Sequence, residues 1–220
     1  MKKITVSAIA SVAILFGTAQ QLHAHASFVK ENAYAGSRYV ATANIPHGCS
    51  DLNSNTFDTI MVEVNIPSEF TSVRPMDSTF GAATLEKDGE GNVTKITWTK
   101  SSEALDEDSH FYQVSFRGRL PDTPLHTLGF VITQTCAGDT SRTWDGDNTP
   151  SINILPSRSP GWNKYTAQSD ISESTIASFF SDAEIVWSND SAYSSNPVIS
   201  DLIESSLTII PAGEDYWVKY

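Results

Sequence analysis

The stretch Thr-Ile-Met-Val-Glu-Val-Asn-Ile, residues 59–66, decides the fold of this chain. Its apolar residues Ile60, Val62, Val64 and Ile66 occupy every second position, and Pro67 follows directly. Successive side chains of a β-strand point to opposite faces, so this spacing predicts a strand with one buried face. Proline cannot donate to a sheet ladder, so the strand is expected to stop at residue 66.

Similar patterns lie on both sides of this stretch. Further strands are predicted at residues 39–45, 93–100, 112–116, 128–135 and 151–155, separated by turn residues at 88–92 and 145–148. The strand that begins at Tyr112 is expected to break at Gly118, and residues 128–135, apolar nearly throughout, are expected to form one central strand. Short strands at this spacing predict an all-β fold, an antiparallel β-sandwich of immunoglobulin or cupredoxin type.

The composition changes at Pro156. Residues 156–161 are rich in proline and serine and predict a linker. Asp170 is expected to cap a helix with Ile176, Phe179 and Phe180 on one face. Strands are predicted at 183–187 and 215–220, so the domain at 25–156 is followed by a small β-rich module at 157–220.

Aromatic residues are frequent in that C-terminal module. Trp162, Tyr193, Tyr216 and Trp217 are expected mainly to form its small core, with a partner-binding face as the alternative.

The first residues have the character of an export signal. Lys2 and Lys3 precede an apolar run that is too short to span a membrane, and small residues follow. We expect residues 1–24 to be a signal peptide, and the mature protein, without a membrane span, to be periplasmic or secreted. Cleavage after Ala24 would leave His25 first; cleavage after Ala26 would leave Ser27 first and is slightly favoured by the local pattern.

Charge and cysteine content bear on the partners and on the redox compartment of the chain. The formal charge is −12 and becomes −14 without Lys2 and Lys3, which disfavours nucleic acid as a partner. Cys49 and Cys136 are the two cysteines. In an exported chain they predict one disulfide, with a pair of soft copper(I) ligands as the alternative.

Sequence motifs do not predict an enzyme. The chain contains no Gly-x-Ser-x-Gly elbow, phosphate-binding loop, His-Glu-x-x-His motif or dinucleotide fingerprint. A histidine that becomes the first residue offers different chemistry. Its α-amine and its Nδ1 can bind one metal ion in a six-membered ring, and nitrogen donors of this kind favour copper(II). His25 would be that residue.

Five sequence blocks resemble the YcnI-like family of exported copper-binding proteins, in the same order along the chain. The blocks are His25-Ala26-Ser27-Phe28, Pro46-His47-Gly48-Cys49, Val64-Asn65-Ile66-Pro67 with Arg74-Pro75-Met76, Phe116-Arg117-Gly118, and Gln134-Thr135-Cys136 with Trp144.

The resemblance implies a copper site. In the family, an amino-terminal histidine forms a single-histidine brace, with an acidic side chain and a tryptophan nearby, which implies His25 as ligand and Trp144 as a shielding neighbour. Family members often have Glu where this chain has Asn32, so Glu31 is the candidate acid, one residue earlier. In a regular strand that offset reverses the face. The family's acid before Phe-Arg-Gly is here Gln113.

Three functional hypotheses follow. The first is a periplasmic or extracellular copper(II)-binding protein for storage, delivery or resistance, with copper as cofactor and another periplasmic copper protein as possible partner. The second is a copper oxidase of the lytic polysaccharide monooxygenase type, which needs a second imidazole from His47 or His110. The third is a metal-free extracellular interaction module.

Overall fold

The computed structural model describes residues 25–51, 55–105 and 110–220; the predicted signal peptide lies outside the described residues. Strands dominate both parts of the chain. In chain order, the first part contains β1 (Ser27–Phe28), β2 (Asn32–Tyr34), β3 (Arg38–Ile45), β4 (Cys49–Ser50), β5 (Thr56–Phe57), β6 (Thr59–Asn65), β7 (Thr71–Pro75), β8 (Ala83–Lys87), β9 (Val93–Thr99), β10 (Tyr112–Arg119), β11 (His126–Gly129), β12 (Ile132–Cys136), β13 (Thr140–Trp144) and β14 (Ser151–Leu155). The second part contains β15 (Trp162–Thr166), β16 (Ile171–Ser172), α1 (Glu173–Phe179), β17 (Ile185–Ser188), β18 (Ser191–Tyr193), α2 (Pro197–Ser200), β19 (Ile209–Ile210) and β20 (Asp215–Lys219).

Two sheets form the sandwich. The front sheet has the strand order β1-β3-β10-β7, and the back sheet has the order β13-β12-β6-β9-β8. All their pairings are antiparallel. A smaller sheet, β11-β14-β2, contains the parallel pair β2 and β14. The prediction of an all-β antiparallel sandwich is confirmed.

The core between the sheets is built by alternation. Ala41, Ala43 and Ile45 of β3 have no exposed surface, and neither do Val62 and Val64 of β6. The apolar positions of the sequence pattern are therefore the ones that face inward. Burying a large apolar side chain contributes about 1.5–3 kcal/mol, so the alternation sets both the register and the stability of the sandwich.

A β-bulge changes this pattern at the start of β6. Cys136 pairs with Thr59 while Thr135 pairs with Met61, so Ile60 is an extra residue on this strand. Thr59 is consequently fully buried and Ile60 only half-buried. The expectation that Ile60 shares the core face with Val62 is wrong, because one inserted residue shifts the two-residue period.

Two other strand predictions also need correction. Residues 128–135 do not form one strand: β11 belongs to the small sheet and β12 to the back sheet. The strand starting at Tyr112 does not end at Gly118 but continues to Arg119. Gly118 is buried against the Phe70 ring, where a Cβ atom would lie 2.4 Å from the nearest ring carbon. Glycine is needed here for close packing and not for a turn.

The two cysteines form a disulfide, as predicted. The Cys49 and Cys136 sulfurs are 2.06 Å apart and join β4 to β12 across 87 positions of sequence. Disulfide sulfurs are not thiolates, so this structure does not support the alternative of a copper(I) pair. Disulfides persist in oxidising compartments, which indicates an extracellular location.

The C-terminal module has its own core. Helix α1 places Ile176 and Phe179 against a four-stranded sheet of order β15-β20-β17-β18. The helix cap is Ser172, whose side chain accepts from the Thr175 amide. The predicted cap, Asp170, instead accepts from the Ala212 amide at 2.9 Å, which corrects that prediction.

The predicted linker is held in place by Arg158. Its guanidinium lies 2.7 Å from the Asp182 carboxylate. It also stacks over the Tyr220 ring, 4.2 Å from its centroid, and lies 5.6 Å from the centroid of Tyr34. Because Tyr34 belongs to β2, this one side chain connects the sandwich with the C-terminal module.

Candidate metal centre

His25 directly precedes β1, which is an edge strand of the front sheet. Ala26 and Phe28 are buried in the core, whereas His25 is exposed and Ser27 is half-buried. This alternation continues the pattern of β1 and puts the His25 side chain on the solvent face. An imidazole in this position can reach a metal ion from solution.

Two residues after His25, a row of polar side chains crosses the same solvent face of the front sheet. Ser27 pairs with Asn44, and Asn44 pairs with Gln113 on the next strand. The Gln113 amide donates to Asn44 Oδ1 at 2.9 Å, and the Asn44 amide donates to Ser27 Oγ at 3.3 Å. Gln113, at the position where the resemblance implies an acid, is thus an uncharged member of a hydrogen-bonded row.

Two further histidines lie just outside the strands of the front sheet, at the same end as His25. His47 follows the end of β3 by two residues and His110 precedes β10 by two, while Ile45 and Tyr112 pair with each other. The Nδ1 atom of His47 donates to the Gly48 carbonyl at 2.6 Å. The His110 ring stacks on Tyr112 with centroids 6.0 Å apart.

Glu31 lies toward the other end of β3. The Val29 amide donates to the Thr42 carbonyl, and the Tyr39 hydroxyl donates to the Lys30 carbonyl, so the chain runs away from His25. Asn44 and Tyr39 are five strand residues apart, roughly 16 Å. For Glu31 and His25 to bind one ion, the amino-terminal residues would have to leave this register. Glu31 as ligand stays a prediction.

Trp144 is a core residue at the end of β13. Its side chain is only 2 % exposed and pairs across the sheet with Ile132. Its indole N–H is buried and has no hydrogen-bond partner among the residues that the structure describes. A buried N–H without a partner is uncommon and costs about 1–3 kcal/mol. The role of Trp144 as a copper neighbour stays a prediction.

The donor set fits copper only in part. Within residues 25–51, 55–105 and 110–220, no group of three or more His, Cys, Asp or Glu side chains is arranged to hold a metal ion. The exposed His25 ring fits a two-nitrogen chelate with its own α-amine, if the mature chain begins there. The register does not bring the Glu31 carboxylate to that chelate.

Sequence reasoning missed a buried ionic cluster around Asp58. This carboxylate has no exposed surface and receives hydrogen bonds from Lys100, from the Tyr112 hydroxyl at 2.8 Å and from the Leu105 amide at 2.8 Å. Burial raises the pKa of Asp58, but these hydrogen bonds and the charge of Lys100 together hold it below its ordinary value. No local pattern identifies these partners, because they are distant in sequence.

An arginine cluster covers the opposite end of the front sheet. Arg38 pairs with Arg119 and Arg117 pairs with Arg74, around a depression of about 420 Å³. Like charges directly opposite in a sheet are destabilising. This positive patch lies at the Tyr39 end of β3, away from the three histidines, so it does not repel a cation at His25.

Fold and site define an immunoglobulin-like β-sandwich with a disulfide and an exposed histidine at one sheet end. The family model called "Domain of unknown function (DUF1775)" matches residues 25–160, more than half of the chain. The chain therefore belongs to this family, whose domain is that of the YcnI-like proteins. No helix in the described ranges is long and apolar enough to cross a bilayer.

One solved structure supports the immunoglobulin-like fold. An uncharacterized protein from Nocardia farcinica with an immunoglobulin-like fold shares 18% identity and a TM-score of 0.50, over 59% of this chain and 97% of that one. A cohesin module from a Clostridium perfringens family 33 glycoside hydrolase shares 14% identity and a TM-score of 0.36, over 60% and 97%. No curated protein sequence matches the chain.

Proposed function

We propose that this chain is an exported copper(II)-binding protein for copper storage, delivery or resistance, and that His25 holds the ion. The observation that carries the proposal is the position of His25, exposed at the sheet end immediately before the buried core residue Ala26. The family match also begins at residue 25.

The burial of Ala26 distinguishes the two candidate cleavage sites of the predicted signal peptide. Cleavage after Ala26 would take away a residue that is 3% exposed and packed in the core cluster. It would also put a charged amine on Ser27, inside β1. Cleavage after Ala24 keeps every described core residue, so the packing supports His25 as the first mature residue, against the weak local preference.

Two nitrogens of one residue would then hold copper. The His25 α-amine and imidazole Nδ1 supply the chelate, and copper(II) is favoured by nitrogen donors among divalent ions. Protons compete for both nitrogens, so affinity is expected to fall steeply below about pH 6. A chelate on an exposed sheet end is accessible to a partner protein, which suits storage and delivery.

The test compares two proteins that differ by one residue. One begins at His25 and the other at Ala24, and both are titrated with copper(II) while the electron paramagnetic resonance spectrum is recorded. We expect tight binding with nitrogen hyperfine structure for the first, and loss of most of the affinity for the second, because its His25 amine is in a peptide bond. Equal binding by both proteins would reject the chelate.

A copper oxidase is the second candidate, favoured by one observation. His47 and His110 flank the front sheet at the same end as His25, so two further imidazoles lie at that end. The variants His47→Ala and His110→Ala, each beginning at His25, separate the two functions. Loss of one nitrogen from the copper spectrum in either variant would favour the oxidase, whereas unchanged spectra favour the two-nitrogen chelate.

A further inference from the structure

Three tryptophans share the open face of the C-terminal sheet. Trp187 of β17 lies directly opposite Trp217 of β20, and Trp162 of β15 pairs with Lys219, two positions from Trp217. Opposite side chains in a sheet start about 5 Å apart and diagonal ones about 7–8 Å apart. The three indoles therefore form one continuous surface, here called the tryptophan platform (Trp162, Trp187 and Trp217).

The platform is solvent-exposed. The three side chains are 50%, 49% and 44% exposed, respectively, and they line an open depression of about 480 Å³ with Asn189 and Asp215. The other face of the same sheet carries the core, including Tyr216 and Val218 under helix α1. Trp162 and Trp217 were expected to belong to that core, and this expectation is wrong. Tyr216 does belong to it, and Tyr193 packs against it.

Two ion pairs border the platform. Lys164 lies 2.5 Å from Asp215, which also accepts from the Thr166 hydroxyl at 2.7 Å. Lys219 lies 2.8 Å from Glu184. These pairs neutralise the two lysines but leave oxygens and N–H groups that can exchange hydrogen bonds with a ligand. The Glu214 carboxylate, which accepts from the Asn189 amide, also borders the platform. The platform thus combines apolar ring faces with a polar margin that carries no excess of positive charge.

We propose that the tryptophan platform binds an uncharged polysaccharide of flat, β-linked pyranose units. A pyranose with equatorial substituents has an apolar C–H face and a rim of hydroxyl groups, which complements an indole surrounded by hydrogen-bonding side chains. The rings lie on a sheet face that no described element covers, which suits an extended ribbon more than a compact ligand. Contiguous exposed apolar surface of this kind marks an interaction site.

Other occupants match the surface less well. Nucleic acid and anionic lipid are disfavoured by the formal charge of −12 and by the absence of an unpaired cation among the lysines that border the platform, since Lys164 and Lys219 both pair with carboxylates. A wholly apolar protein surface would bury these ion pairs at a cost in desolvation, whereas sugar hydroxyls can replace the lost water.

The experiment is native affinity electrophoresis of the full mature chain in gels that contain hydroxyethylcellulose, with pull-down on insoluble chitin. The variants are Trp187→Ala and Trp217→Ala. Trp217→Phe preserves a stacking ring, and Leu202→Ala, 79% exposed in the same module, removes apolar surface outside the platform. Circular dichroism of each variant verifies folding. Neither the polysaccharide test nor these variants involve His25, so the result is independent of copper binding.

We expect retardation by at least one polysaccharide, roughly tenfold weaker binding in each alanine variant, and near-normal binding in Trp217→Phe and Leu202→Ala. Absence of both retardation by hydroxyethylcellulose and retention on chitin would overturn the proposal. An equal loss of binding in Leu202→Ala would also overturn it. A third refuting result would be Trp217-dependent binding of the wild type to phosphatidylcholine vesicles or to a polyproline peptide, without any binding to the polysaccharides.

Discussion

Replacing Asp58 by alanine tests how the sandwich holds its buried charge. The Asp58 carboxylate is completely buried, and its partner Lys100 has a side chain that is 7% exposed. The substitution leaves the Lys100 ammonium in the interior without its counterion. Removing one partner of a buried ion pair costs about 3–5 kcal/mol, so the free energy of unfolding should fall by that amount. Urea unfolding followed by tryptophan fluorescence measures it.

The matched control is Glu86→Gln. Glu86 pairs with Lys95 at 2.6 Å, but its side chain is 63% exposed, so the change should cost no more than about 1 kcal/mol. The double variant Asp58→Ala, Lys100→Met should recover part of the loss, because it removes the unpaired charge. An Asp58→Ala penalty no larger than that of Glu86→Gln would refute the reasoning.

The pH dependence has a defined sign. Because the folded-state pKa of Asp58 is held below its ordinary value, its ionised form stabilises the fold above about pH 4, and this contribution is lost as the pH falls through the folded-state pKa. The penalty of Asp58→Asn should therefore be largest near neutral pH and shrink under acid conditions. A penalty that is constant from neutral to acid pH would contradict the ionic account.

Three further changes have expected outcomes in urea unfolding. Replacing both disulfide cysteines by alanine should lower the free energy of unfolding by about 4–5 kcal/mol, because the bond closes a loop of 87 positions; a loss below about 1 kcal/mol would contradict this. Gly118→Ala should cost about 1–3 kcal/mol, because its Cβ would meet the Phe70 ring, and an unchanged midpoint would show that the ring can move. Arg74→Thr should stabilise by up to about 1 kcal/mol at low salt by relieving repulsion from Arg117, and the gain should disappear near 1 M salt; a gain that persists there would exclude charge as its cause.

Copper binding and saccharide binding, as proposed, use different parts of one chain. His25 precedes the sandwich, whereas the tryptophan platform lies in the module that follows it. An exported protein with both would hold copper close to an extracellular polysaccharide. The two proposals stand separately, because each test changes residues that the other does not use.

Much of the candidate site depends on register, which the sequence does not give. The resemblance singles out His25 and Glu31, which are six positions apart in sequence. Only the pairing of β1 with β3 shows that these two residues lie toward opposite ends of β3. The same pairing brings His47 and His110 to the His25 end, although they are distant in sequence. Local patterns cannot report such distances, because register is set by contacts between strands.

The sequence by itself determined the inward faces of the main strands, the disulfide and the family. Alternation at residues 59–66 and 39–45 predicts buried faces because strand geometry has a fixed two-residue period. Tertiary structure alone decided the bulge at Ile60, the burial of Asp58 with Lys100, and the exposure of Trp162, Trp187 and Trp217. An aromatic in a strand can face either side of its sheet, and the side is chosen by what helix α1 covers.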